Sequence, residues 1–168
     1  SEFRRGRNRL ATIIVAGHAV KHVYTSGLSS IILPELKIGM ELNSAQFGSL
    51  VTARTMTAGI SNLTAGYLSD MFSNRAGLMI GVALGLMGIG HLVAGYAPTY
   101  PTMLLAMAVI GIGPSMFHPP AIGMLSRRFP DRRGFAVSLH GMGANLGEML
   151  GPITVAGILS LLLWRDVL

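Results

Sequence analysis

The chain has 168 residues, 51% of them hydrophobic and only 12% charged, where a soluble domain carries about 25% charged residues. Its net charge of +6 does not describe a nucleic-acid surface, because the bases lie between apolar blocks and not along one polar face. Without cysteine it has neither a disulfide framework nor a thiolate metal site.

The apolar residues fall into blocks of about 20 or more, long enough as helix to cross a hydrocarbon core of about 30 Å. The predicted fold is an all-α membrane protein with five spanning helices. The first covers 10–33 and ends before Pro34; the second covers 45–69, with Asn43-Ser44 as its cap. The third covers 76–96, bounded by Pro98 and Pro101. The fourth covers 102–126 and the fifth 134–160, and a sixth begins near 164, with Trp164-Arg165 as an interfacial anchor. No cleavable signal peptide is visible. The start at Ser1-Glu2-Phe3 without Met, and the end at Leu168 just inside a new segment, lead us to expect a fragment of a longer chain.

The turn Gly66-Tyr67-Leu68-Ser69-Asp70-Met71-Phe72-Ser73-Asn74-Arg75 is a short acid-then-base hairpin between two apolar stretches. If the helices alternate, Arg4, Arg5, Arg7, Arg9, Arg75, Arg127, Arg128, Arg132 and Arg133 all fall on one side, and only Lys37 and Arg165 on the other. That asymmetry predicts a cytoplasmic N-terminus.

Two bases, Lys21 and Arg54, lie inside helices, where a charge at the bilayer centre costs about 2.5–3.5 kcal/mol. They are expected to face a wet pathway or a partner. His18, His22 and Ser26 share a face of the first helix, about 12–18 Å from its cytoplasmic end. Arg54, Thr57, Ser61 and Thr64 stripe the second helix, His118 marks the fourth, and His140, Asn145 and Glu148 the fifth. The third helix has no Asp, Glu, Lys or Arg. The simplest arrangement puts helices one, two, four and five around a polar pathway and the third against lipid. Gly143, Gly147 and Gly151 form a small-residue stripe before Pro152, and Gly111, Gly113 and Pro114 a similar point in the fourth helix; close packing and bending are both open readings.

The Gly66–Arg75 turn resembles the cytoplasmic signature between helices two and three of the major facilitator superfamily. Gly147-Glu148-Met149-Leu150-Gly151-Pro152 resembles the fifth-helix signature of its antiporters. Gly17-His18, Val109-Ile110-Gly111-Ile112-Gly113, Phe117-His118-Pro119 and Asn145-Leu146-Gly147 are similar to the fosmidomycin-resistance branch. The resemblance covers nearly the whole chain. It implies a twelve-helix, two-half secondary transporter, of which this chain is most of the N-terminal half. It also implies proton-driven efflux of a small anionic or drug-like compound, with the lipid bilayer, the substrate, protons and the C-terminal half as partners. The implied location is the plasma membrane, the inner membrane of a bacterium, with multiple passes. Met71 and Ser73 depart from the loop signature, where a base and a glycine are usual. Met107 stands in place of the fourth-helix arginine, and His22 in place of an acid, so proton coupling rests on other groups or is absent.

Glu148 is the only carboxylate in a predicted span. It is expected to pair with Lys21 or Arg54 and to exchange a proton as the helices rock; a static ion pair is the competing reading. Lys21 and Arg54 also suit an anionic substrate. The expected pathway residues are therefore His18, Lys21, His22, Arg54, His118, Asn145 and Glu148. Gly66, Asp70 and Arg75 are expected in the conformational loop. His118 beside Pro119-Pro120 reads first as a helix-end or bend element, and His140 and His91 as structural. The four-residue spacing of His18 and His22 suits a metal, but with no Cys and one nearby acid neither a metal site nor a cofactor is expected. No catalytic arrangement is present, so an enzyme is not expected. Competing readings are an uptake carrier for a small organic anion, a non-transporting membrane interaction module, and a pore.

Overall fold

A computed structural model describes residues 6–168; Arg4 and Arg5 of the charge count lie outside the described residues. Among the described residues all regular structure is helical. Helix α1 (Arg7–Gly27) runs through a π-helical turn (Leu28–Ile32) into α2 (Leu33–Gly39). It is followed by α3 (Ser44–Met71), a 3₁₀ turn (Ser73–Arg75), α4 (Ala76–Tyr96), α5 (Tyr100–Arg128), α6 (Arg133–Leu159) and the short α7 (Trp164–Val167). The second to fifth predicted segments are α3 to α6, displaced by two residues or fewer at each end.

The first segment differs: Pro34 does not end it. The amide of Leu33 bonds to the carbonyl of Leu28, five residues back, which shifts the hydrogen-bond register just before the proline. Pro34 then sits in the first turn of α2, where its missing N–H costs little. Pro119-Pro120 likewise fail to end α5, which continues to Arg128. Asn43 caps α3 as expected, accepting from the Gln46 amide while Gln46 returns the bond to the Asn43 amide.

The helix ends gather into two groups, so the helices alternate in direction. At one end Arg7 pairs with Asp131 at 3.0 Å, and Arg127 donates to the Ser73 carbonyl at 3.1 Å. At the other, Arg165 donates to the carbonyls of Ala97 (2.7 Å) and Gly95 (3.2 Å), capping the C-terminus of α4 with a cation. One apolar core at each end, around Ile14, Phe117 and Leu125 and around Leu28, Leu50 and Met107, encloses a polar middle.

Glycine sets which helices touch. A Cβ on Gly143, Gly147 or Gly151 of α6 would strike α1 backbone at Val15, Ala19 or Val23. A Cβ on Gly111 of α5 would strike Arg54 and Thr57 of α3, and one on Gly113 would meet Met87 of α4 at 2.6 Å. These glycines are therefore packing residues. Pro114 and Pro152 lie within unbroken helices.

Helix α4 packs its small face on α5 and exposes Leu78, Val82, Ile89 and Leu92. By length and composition, Ser73–Tyr96 and Tyr100–Arg128 are apolar enough to cross a membrane. Helices α1, α3 and α6 are long as well, at 21, 28 and 27 residues, and each carries a charged side chain within it: Lys21, Arg54 and Glu148.

Candidate functional site

Tight packing of α1 on α6 brings the polar face of α1 against His140 and Glu148, while α5 closes the third side. His18 is the centre. Its Nδ1 lies 2.8 Å from the His140 carbonyl, which only accepts, so Nδ1 carries the proton. His18 Nε2 is then the acceptor for His22 Nε2–H at 3.1 Å. His22 Nδ1 lies 3.1 Å from Glu148 Oε1.

Lys21 points elsewhere. One residue before His22, it is turned about 100° around the helix, and its ammonium donates to His118 Nε2 at 2.7 Å. Lys21 is only 3% exposed, and among the described residues no carboxylate pairs with it. The His18 ring stacks on His140 with centroids 3.7 Å apart and planes 4° apart, and Phe117 lies nearly parallel to His18 at 5.5 Å. His118 meets His18 edge-on at 4.9 Å.

Several expectations change. Glu148 pairs with His22, not with Lys21 or Arg54. The glycine contacts put Gly147 against Ala19 and His22, so the base one residue after Gly147 can reach is the one on that face. His118 is no helix-end element: it lies mid-helix and its ring holds Lys21. His140 is a member of the cluster, not a bystander. It is 4% exposed and neither ring nitrogen has a hydrogen-bond partner. Nothing in its own helix reveals that, because the contact depends on how α1 and α6 pair.

Arg54 lies outside the cluster. Its guanidinium donates to Ser29 Oγ at 3.0 Å, on the π-helical turn. Asn145 is exposed on α6, three residues before Glu148, whose side chain is 57% exposed. In the turn, Gly66 has open space beside it and Asp70 is exposed near the end of α3. Among the described residues no ion pair joins Asp70 to Arg75; the contact across that end is Arg127 with the Ser73 carbonyl. His91 is buried on α4, donating Nδ1–H to Met87 at 2.8 Å and meeting Tyr24 edge-on.

The cluster has no hydroxyl nucleophile activated by a base and no pair of carboxylates. It offers proton donors and acceptors in series and, among the described residues, an ammonium with no carboxylate in direct contact, which suits holding a proton or an anion.

The sequence model of the Major Facilitator Superfamily matches residues 22–167. The chain is 27% identical over 150 residues to the fosmidomycin resistance protein of Escherichia coli, covering 88% of this chain and 36% of that protein. The uncharacterised MFS-type transporter YfnC of Bacillus subtilis gives the same identity and coverage. The puromycin resistance protein pur8 of Streptomyces alboniger is 30% identical over 140 residues, 81% of this chain and 27% of its own length. The chain thus spans about a third of the length of the curated relatives it matches.

Proposed function

This chain belongs to the Major Facilitator Superfamily, whose members are membrane transporters and not enzymes, and from that premise we propose that it forms most of the first half of a proton-coupled exporter. The whole transporter has twelve helices in two halves and works by rocking around a midplane site. Helices α1 and α3 to α6 span the plasma membrane, the inner membrane of a bacterium, and the arginine-rich end is cytoplasmic. The cargo is a small anionic or drug-like compound. Two of the matched relatives are named for resistance to fosmidomycin and puromycin, which favours export of such compounds.

The observation that carries this reading is the polar layer on α1, α5 and α6 between two apolar cores. Buried Lys21 with no carboxylate partner, together with Arg54, leaves the pathway positive and favours an anion. Glu148 supplies the proton. One proton held between His22 Nδ1 and Glu148 Oε1 fills their 3.1 Å contact. Loss of that proton leaves two acceptors facing each other and removes a side-chain link between α1 and α6, beside the glycine contacts that hold the pair. Proton occupancy is thereby tied to the packing of the helix that lines the site.

Counterflow in liposomes with the complete protein tests this. A carrier shows saturable exchange of labelled for unlabelled cargo. Non-saturable flux would indicate a pore, and absence of flux a membrane interaction module; either result would refute the reading.

A further inference from the structure

We propose that His18, His118 and His140 form a binding site for one divalent transition-metal ion of the zinc, cobalt or nickel class. Three helices supply one imidazole each, and a nitrogen of each ring lies within 4.8 Å of the others. The centre of such a triangle lies about 2.8 Å from each corner, against about 2.0–2.1 Å for a zinc–imidazole bond, so each ring moves inward by roughly 0.7 Å. Imidazoles without thiolate or clustered carboxylate select this class of metal over magnesium or calcium, which take oxygen.

Two rings are already disposed for it. The His140 carbonyl fixes the proton of His18 on Nδ1 and so puts the lone pair on Nε2, where a metal must displace the His22 Nε2–H that it now accepts. A carbonyl behind the distal nitrogen is a common support of metal-bound histidine. The His140 ring is buried with both nitrogens unpartnered. While it lies parallel to His18 their in-plane lone pairs do not converge. Turning it about Cβ–Cγ breaks no hydrogen bond and gives up only the stack on His18 in exchange for co-ligation.

Lys21 is the competitor. Its ammonium occupies the lone pair of His118 Nε2, and a metal taking that nitrogen must displace it; the flexible four-carbon stem permits this. Metal and ammonium therefore compete, which an adventitious cluster of surface histidines would not show. The inference does not depend on the direction or driving ion of transport.

The test is titration of the complete protein, purified in detergent with any affinity tag removed, with Co²⁺. Binding is read from visible absorption and reversed with Zn²⁺. We expect one Co²⁺ per protein, loss of the bands in His140→Phe and in His118→Gln, and binding tighter by roughly tenfold in Lys21→Met, where a neighbouring positive charge is gone. Size-exclusion elution and circular dichroism check the fold of each variant. If His140→Phe fails to fold, His118→Gln, which alters a half-buried ring, decides. Absence of Co²⁺ binding, unchanged binding in the folded histidine variants, or no gain in Lys21→Met overturns the proposal.

Discussion

Glu148 Oε1 lies 3.1 Å from His22 Nδ1, and the contact exists because Gly147 lets α6 rest on α1. A Cβ at 147 would meet the Ala19 carbonyl and would stand 2.5 Å from His22 Cβ and 3.0 Å from the Val23 amide. The acid and its partner are thus held by a backbone approach that only glycine allows. Lys21 is turned to α5, and Arg54 belongs to a helix that meets α5 and the π-helical turn instead.

Gly147→Ala should therefore destabilise the protein by about 1–3 kcal/mol, the usual result of overpacking a tight contact. Gly141→Ala, in the same helix but with nothing within 4 Å, should be neutral or stabilise by up to about 1 kcal/mol through helix propensity. Thermal unfolding in detergent compares the two. Equal effects would mean that the glycine stripe does not set the α1–α6 contact.

Thr57 Oγ1 donates to the Ala108 carbonyl at 2.8 Å, a side-chain bond from α3 to α5. Thr57→Val keeps the shape and removes the bond. A loss of about 0.6–2 kcal/mol is expected, again from thermal unfolding.

Helix order and most ends were legible because Asn43, Pro101 and the arginine-flanked turns punctuate long apolar runs. Pro34 is a false stop for the first helix, because a proline stops a helix only if the register is kept, and the π-helical turn shifts it. Lys21, His22 and Glu148 stood out as polar groups in apolar surroundings, yet their pairing did not. Spacing along one helix gives a face, whereas the partner depends on which helix the glycines admit. His140 is silent in the sequence for the same reason: its neighbours His18 and His118 are remote in the chain.

Under the proposed reading Arg54, whose guanidinium donates to Ser29 Oγ at 3.0 Å, takes an anionic group of the cargo. Arg54→Met should raise KM for an anionic cargo by tenfold or more, from loss of a charged hydrogen bond worth about 1.5–3 kcal/mol. Arg54→Lys, which keeps the charge but not the fork, should fall between. Uptake into inverted vesicles measures both. An unchanged KM in Arg54→Met would remove this residue from the pathway.

The most direct measurement is proton movement in liposomes carrying the complete protein, wild type against Glu148→Gln. On addition of cargo the wild type should move protons and cargo in opposite directions. Glu148→Gln, neutral at every pH, should lose the proton flux and the response to an imposed pH gradient while still exchanging cargo for cargo. Proton-driven transport of wild-type size in Glu148→Gln would contradict the account.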